Sequence, residues 1–149
     1  MEYTGTNVWI AITHDPLDLA TISTWCTVPN CGAIVNFVGT TRDHFEDKTV
    51  SYLSYEAYTE MAISELRSIC EEALQKFPGT LKACIHHRLG RVDVTETSII
   101  CSISSKHRKE GFEACEWMMH DLKARVPIWK KEVFMDGNCE WKENAEYIP

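Results

Sequence analysis

The chain has 149 residues, of which 44% are apolar and 25% charged, with a formal net charge of −7. That length and balance allow a full hydrophobic core and exclude a disordered or low-complexity polypeptide. The negative charge argues against nucleic acid as a general partner. No apolar run approaches the roughly 20 residues that span a bilayer, and Met1–Thr6 has no secretory n-region or h-region; the expectation of a cytosolic protein comes from the scattered, odd-numbered cysteines.

Val8–His14 reads as a strand broken by Asp15-Pro16. Asp18 is placed to N-cap a short helix from Leu19 towards Val28, with Pro29–Gly32 as a loop. Ala33–Val38 is apolar and rich in β-formers, so a buried strand ending at Gly39 is expected. Arg42–Lys48 is polar and reads as a loop. Val50–Tyr58 reads as a strand that pairs hairpin-like with the one before it.

Ala62, Leu66, Ile69, Ala73 and Phe77 recur at helical spacing, predicting an amphipathic helix over Thr59–Phe77, capped by Thr59 and stopped by Pro78-Gly79. Leu81–Val92 and Ser98–Ser105 read as strands joined by the polar Asp93–Thr97 turn. The alternation of Ile99, Cys101 and Ile103 suits one buried face. A second long helix is expected over Lys109–Arg125, with Phe112, Cys115, Met119, Leu122 and Val126 as its stripe and Pro127 as its stop. Ile128–Met135 and Cys139–Lys142 form a final hairpin around Asp136-Gly137. The order predicts an α+β fold in one domain over 1–149, two long helices packed on a largely antiparallel sheet.

The seven cysteines are odd in number, form no CxxC pair and fall mostly in core-like segments, so they read as reduced thiols and not as a disulfide or zinc framework. No GxGxxG, P-loop, GxSxG or HExxH string is present. No metal and no cofactor is expected.

Cations carry the chemical signal. Lys106–Lys131 holds seven of the fifteen Lys and Arg residues and four of the twenty-two acids, a basic island on an acidic chain that suits a local anion site or a solvated helix face. Arg42, His107, Arg108, Lys123, Lys130 and Lys131 all fall at element ends, where side chains are held by the scaffold yet accessible. Lys123 also fits the helix macrodipole, and Lys130 and Lys131 are strand neighbours, so only one of them can enter a given pocket. Cations gathered around one cavity lower each other's pKa, which suits a lysine acting as base or nucleophile and a phosphate-bearing ligand. Of the pair His86-His87, one is expected in the core and the other at solvent or an interface.

Specific strings then stand in order: Phe37-Val-Gly-Thr-Thr-Arg42, Leu53-Ser-Tyr-Glu-Ala-Tyr58, His87-Arg-Leu-Gly90, Ser105-Lys-His-Arg108 and Leu122-Lys-Ala-Arg-Val-Pro-Ile-Trp-Lys-Lys-Glu132. From about Val8 to Trp141 the chain resembles the large, catalytic subunit family of molybdopterin synthase. The resemblance implies an α/β hammerhead-type fold. It implies a sulfurtransferase of molybdenum cofactor biosynthesis that turns cyclic pyranopterin monophosphate into molybdopterin. The sulfur would come from the C-terminal Gly-Gly thiocarboxylate of a small ubiquitin-like subunit, in a heterotetramer built on a homodimer. The resemblance carries site roles onto Arg42, His107, Arg108, Lys123, Lys130, Lys131 and Glu132, with Thr40 and Thr41 offering hydroxyls to the substrate. Lys123 would be the principal catalytic residue and Lys130 its assistant. A docking module for a Gly-Gly tail, without chemistry, is the alternative, and an unrelated phosphometabolite enzyme on the same scaffold is another. No role is carried onto the tail that follows Trp141.

Overall fold

The computed structural model describes residues 1–143, and the tail beyond lies outside the described residues. It contains two sheets and three helices, an α+β architecture with all strand pairs but one antiparallel.

The first sheet has the order β1-β2-β6-β8-β3, from β1 (Glu2–Thr4), β2 (Val8–Thr13), β6 (Thr80–Arg88), β8 (Thr97–Ser105) and β3 (Ala33–Thr40). β2 and β6 are its parallel pair. Strand alternation sorts its side chains onto two faces. Ile10, Ile12, Ile85, Cys101 and Ile103 join the main core, which α2 (Thr59–Lys76) and α3 (Arg108–Arg125) cover. Cys84 and Ile100 face the other way, under α1 (Leu19–Cys26), where Trp9 and Trp25 complete a smaller cluster.

The second sheet is centred on β5 (Lys48–Ala57). β9 (Ile128–Phe134) and then β10 (Cys139–Glu143) lie on one side, with β4 (His44–Phe45) and β7 (Gly90–Asp93) on the other. The chain passes between sheets at Gly90, whose φ of +78° lies in the left-handed region that glycine adopts without a Cβ clash. The expected Leu81–Val92 strand is therefore two strands, with the break after Arg88.

Several expectations hold at the level of local chemistry. The Asp18 carboxylate accepts from the Thr21 amide and caps α1, and Pro127 follows the end of α3. Others are corrected. Thr59 does not cap α2: the N-cap position is Tyr58, which makes no side-chain capping bond. Val50–Ala57 does not pair with β3. β3 pairs with β8, and β5 pairs with β9, because the polar turn at Glu46-Asp47 folds β5 back only onto the two residues of β4. Nor is β3 a buried strand. It is the last strand of its sheet, and Ile34, Phe37 and Val38 are exposed there. Phe112, read as part of the α3 core stripe, is exposed as well, while Gly111, Ala114 and Met118 join the buried face. His86 and His87 are both buried, on opposite faces of β6. Among the large aromatics, Phe134 is buried, Trp9 packs edge-on to His86, and Trp141 is exposed.

Candidate functional site

The Thr40 end of β3, the last turns of α3 and the second sheet meet around a cavity of about 890 Å³. The sequence brings Arg42 there because the chain turns out of the sheet just past Thr40. Thr41 anchors that turn: its amide donates to the Glu96 carbonyl and its own carbonyl accepts from Thr95. Lys123 reaches the cavity from the last turn of α3, beside Met119 and Leu122. Lys130 and Glu132 reach it from alternate positions of β9, and Lys142 from β10. Tyr55, His87 and Ser98 also line it.

Thr40, Arg42, Lys123, Lys130 and Glu132 thus converge as expected from the sequence. Four other expected residues do not. Thr41, just past the end of β3, is buried against the Asp93–Thr97 turn instead of lining the cavity, because its amide and carbonyl are both hydrogen-bonded to that turn. Lys131 is on the far face of β9, because adjacent strand positions point to opposite sides, with its ammonium over the Trp141 ring. His107 is the N-cap of α3 and Arg108 its first residue. They precede Lys123 by 16 and 15 positions, so Arg108 lies about 22 Å from Lys123 along the helix axis. Arg125, two residues past Lys123, turns away to pair with Glu65, Glu72 and Asp121 and so ties α3 to α2.

The electrostatics are those of a crowded cationic pocket. Burial pushes the Lys130 ammonium below its ordinary pKa. The charges of Lys123, Lys142 and Arg42 push the same way, against the opposing pull of Glu132. Glu132 is buried and pairs with Lys142, Oε1 to Nζ 2.7 Å. Burial raises the Tyr55 hydroxyl and drives His87 down to about 4, so the imidazole is neutral near pH 7. Its Nδ1 lies 2.8 Å from the Arg88 carbonyl oxygen, which only accepts; Nδ1 therefore carries the proton and Nε2 is the unprotonated nitrogen. Tyr55 and His87 meet edge to face, ring centroids 4.9 Å apart.

The sequence signals for Tyr55, His87 and Lys142 were weak, since a strand tyrosine, a core histidine and a terminal lysine look ordinary until three strands align them. No cysteine lines this cavity. Cys26, Cys70 and Cys84 are buried with thiols held above their usual pKa chiefly by desolvation, which disfavours the reactive thiolate. Cys115 lines an adjoining apolar groove of about 510 Å³ between β3 and α3, which shares Phe37, Met119 and Lys123 with the cavity. Among the described residues no three His, Cys, Asp or Glu side chains gather to hold a metal ion, and no helix is long and apolar enough to cross a membrane.

The arrangement can hold an anion and move a proton. Comparison with known proteins narrows what that serves. The MoaE protein family model matches residues 12–125. The molybdopterin synthase catalytic subunit of Taeniopygia guttata is 46% identical over 138 residues, covering 93% of this chain and 88% of its own. That of Bos taurus is 47% identical over 137 residues, covering 92% and 72%. Among solved structures, the molybdopterin synthase of Staphylococcus aureus superposes with a TM-score of 0.84 at 33% identity, covering 89% of this chain and 95% of that one. A Helicobacter pylori structure described as a complex of subunits 1 and 2 of molybdopterin-converting factor superposes with a TM-score of 0.73 at 27% identity, covering 91% and 92%.

Proposed function

This chain belongs to the MoaE protein family, and from that premise we propose that the cavity between α3 and the second sheet is its sulfur-transfer site. Its role is that of the catalytic subunit in molybdopterin biosynthesis, an enzyme of sulfur transfer. The observation that carries the site assignment is the convergence of Arg42, Lys123 and Lys130 on one cavity, with the Lys130 ammonium buried and lowered in pKa.

The substrate is cyclic pyranopterin monophosphate, and the sulfur comes as the terminal thiocarboxylate of a small ubiquitin-like subunit. A Gly-Gly tail suits a cavity walled by cations because it brings no side chains through the opening. Arg42 and the Thr40 hydroxyl hold the phosphate by charge-assisted and neutral hydrogen bonds. The thiocarboxylate sulfur attacks an oxygen-bearing carbon of the substrate, forming the carbon–sulfur bond; the carbon–oxygen bond at that carbon breaks, its oxygen leaves protonated as water, and the partner stays attached through a thioester. Water then attacks the acyl carbon, the acyl–sulfur bond breaks, and the partner leaves as a carboxylate. Lys123 handles the proton of that water, and Lys130 polarises the thiocarboxylate. Glu132 orders the cations around them. The sulfur never passes through a cysteine of this chain.

His107 and Arg108 act on the same substrate only from a second copy of the chain. They sit beside the Ala33 end of β3, where the Gly32 amide donates to the Lys106 carbonyl, while Thr40 and Arg42 sit at the other end. β3 is about 23 Å long, close to the separation of Arg108 from Lys123 along α3. Antiparallel apposition of two β3 edges about a two-fold axis would therefore bring one copy's His107 and Arg108 to the other copy's Arg42. The exposed Ile34, Phe37, Val38 and Phe112 give that edge an apolar surface to bury. We therefore read the assembly as a homodimer with one small subunit per cavity, in the cytosol.

The test is substitution of Lys123 with the thiocarboxylated small subunit present. Lys123→Ala and Lys123→Arg should both lose nearly all product formation while still binding the small subunit, because a guanidinium does not release its proton near pH 7. Retained turnover in Lys123→Arg would leave only charge as its role. Full function in Lys123→Ala would favour a docking module.

A further inference from the structure

The cavity face of the second sheet carries a row of side chains in register. Tyr55 of β5 lies opposite Lys130 of β9, and Lys130 lies opposite Lys142 of β10. Directly opposed side chains start about 5 Å apart, so the two ammonium groups would repel if both stood upright. Lys142 instead leans diagonally to Glu132, two residues along β9 on the same face, and meets its carboxylate at 2.7 Å. The Lys142 ammonium is also capped by the Phe45 ring, 3.0 Å from the centroid, so β4 and β9 clamp it from two sides. Glu132 is 3% exposed. A carboxylate so buried requires a cation, and the next one on its own strand face is Lys130, about 7 Å along the strand.

We propose that Lys142 is a positioning residue of this site: by occupying the buried Glu132 carboxylate, it keeps Lys130 from collapsing into an ion pair and leaves that ammonium directed at the substrate. The inference rests on the reading of Lys130 as a substrate-facing lysine. Losing Lys142 changes the pocket in two ways with the same sign, since a neighbouring cation disappears and the Glu132 charge falls to Lys130. Both favour the protonated form of Lys130. The other groups around Lys130 are Lys123 from α3, Arg42 from the turn after β3, His87 from β6, Tyr55 from β5 and His44 from β4. All of them remain in the variant. Lys142 takes no part in the ion pairs that tie α3 to α2, and it meets the margin of the main core only through Phe45, so its effect should be local.

The experiment is titration of the Lys130 side chain in the full chain by NMR of ¹³Cε-labelled lysine, with the resonance assigned by its loss in Lys130→Arg. Lys142→Gln should raise the Lys130 midpoint by about one pH unit, the size expected when a lysine gains a carboxylate neighbour. Lys142→Arg, which keeps the charge and the pair, should restore the wild-type midpoint. A midpoint that stays or falls in Lys142→Gln would overturn the proposal. If that variant does not fold, the Glu132→Gln background is the second test: there Lys142→Gln should raise the Lys130 midpoint by clearly less than about one unit, because no carboxylate is left for Lys130 to gain, and a full rise of about one unit would equally overturn the proposal. Failure of the functional reading looks different, as undiminished product formation by Lys130→Ala, a result that leaves these titrations unchanged.

Discussion

His86 and His87 should make the fold acid-sensitive well above the range where carboxylates titrate. The two rings are adjacent on β6 and buried on opposite faces, His86 against Trp9 and His87 against Tyr55. Burial drives both down to about 4 from an unfolded value of 6.5. A depressed histidine stabilises the folded state fully above the unfolded pKa, and that contribution is lost as pH falls from 6.5 towards 4, because the unfolded chain takes up protons that the folded chain refuses. For each ring the loss between pH 7 and pH 5 is about 2 kcal/mol, so the pair accounts for about 4 kcal/mol, a large part of the stability of a domain this size. The assay is urea unfolding followed by tryptophan fluorescence at pH 7, 6 and 5, for wild type, His86→Gln, His87→Gln and the double variant. Slopes against pH are compared instead of absolute stabilities, since each substitution also disturbs packing. Each single variant should show about half the wild-type slope and the double variant almost none. A wild type that loses less than about 1 kcal/mol over this range, or a double variant with an undiminished slope, would mean that the two buried rings do not set the acid sensitivity.

Three further outcomes follow from the geometry. Gly90→Ala should destabilise the fold by about 1–2 kcal/mol in urea or thermal unfolding, because alanine resists the left-handed region and its Cβ would meet His14 Nδ1 at 3.2 Å. Arg42→Ala should weaken substrate binding about ten- to hundredfold in titration calorimetry, as expected for one charge-assisted hydrogen bond, and leave affinity for the small subunit nearly unchanged. Equal loss for both ligands would contradict the placement of Arg42. Mixing Lys123→Ala and Arg108→Ala dimers, each inactive alone, should recover roughly a quarter of wild-type turnover after subunit exchange, because half of the dimers are then hybrids with one intact site. No recovery would mean that Arg108 does not act across the dimer.

The sequence was most informative where the determinants are local. Asp18 announces the start of α1, the alternation of Ile99, Cys101 and Ile103 announces β8, and Pro127 announces the end of α3. Pairing between distant strands was not legible. Ala33–Thr40 has the composition of a buried strand, yet it lies at a sheet edge because β8 takes its inner side and nothing described takes its outer side. The break at Gly90 was hidden by continuous apolar character on both sides of it. At the site, Lys130 and Lys131 were separable by strand alternation alone. The distance between Arg108 and Lys123 was also implicit, since they fall at the two ends of one helix and only the rise per residue was needed. Lys142 could not be found this way, because its meaning depends on the register that sets it beside Lys130 and on its diagonal contact with Glu132.

The most direct measurement is reconstitution of the full chain with a small subunit bearing a C-terminal thiocarboxylate and with cyclic pyranopterin monophosphate, followed by assay for molybdopterin. Molybdopterin should form in proportion to the thiocarboxylate supplied, with none when the small subunit ends in an ordinary carboxylate and undiminished yield from folded variants of this chain in which one cysteine is replaced. Product formed without the thiocarboxylate, or lost on replacing one cysteine in a folded protein, would contradict direct sulfur transfer from the small subunit.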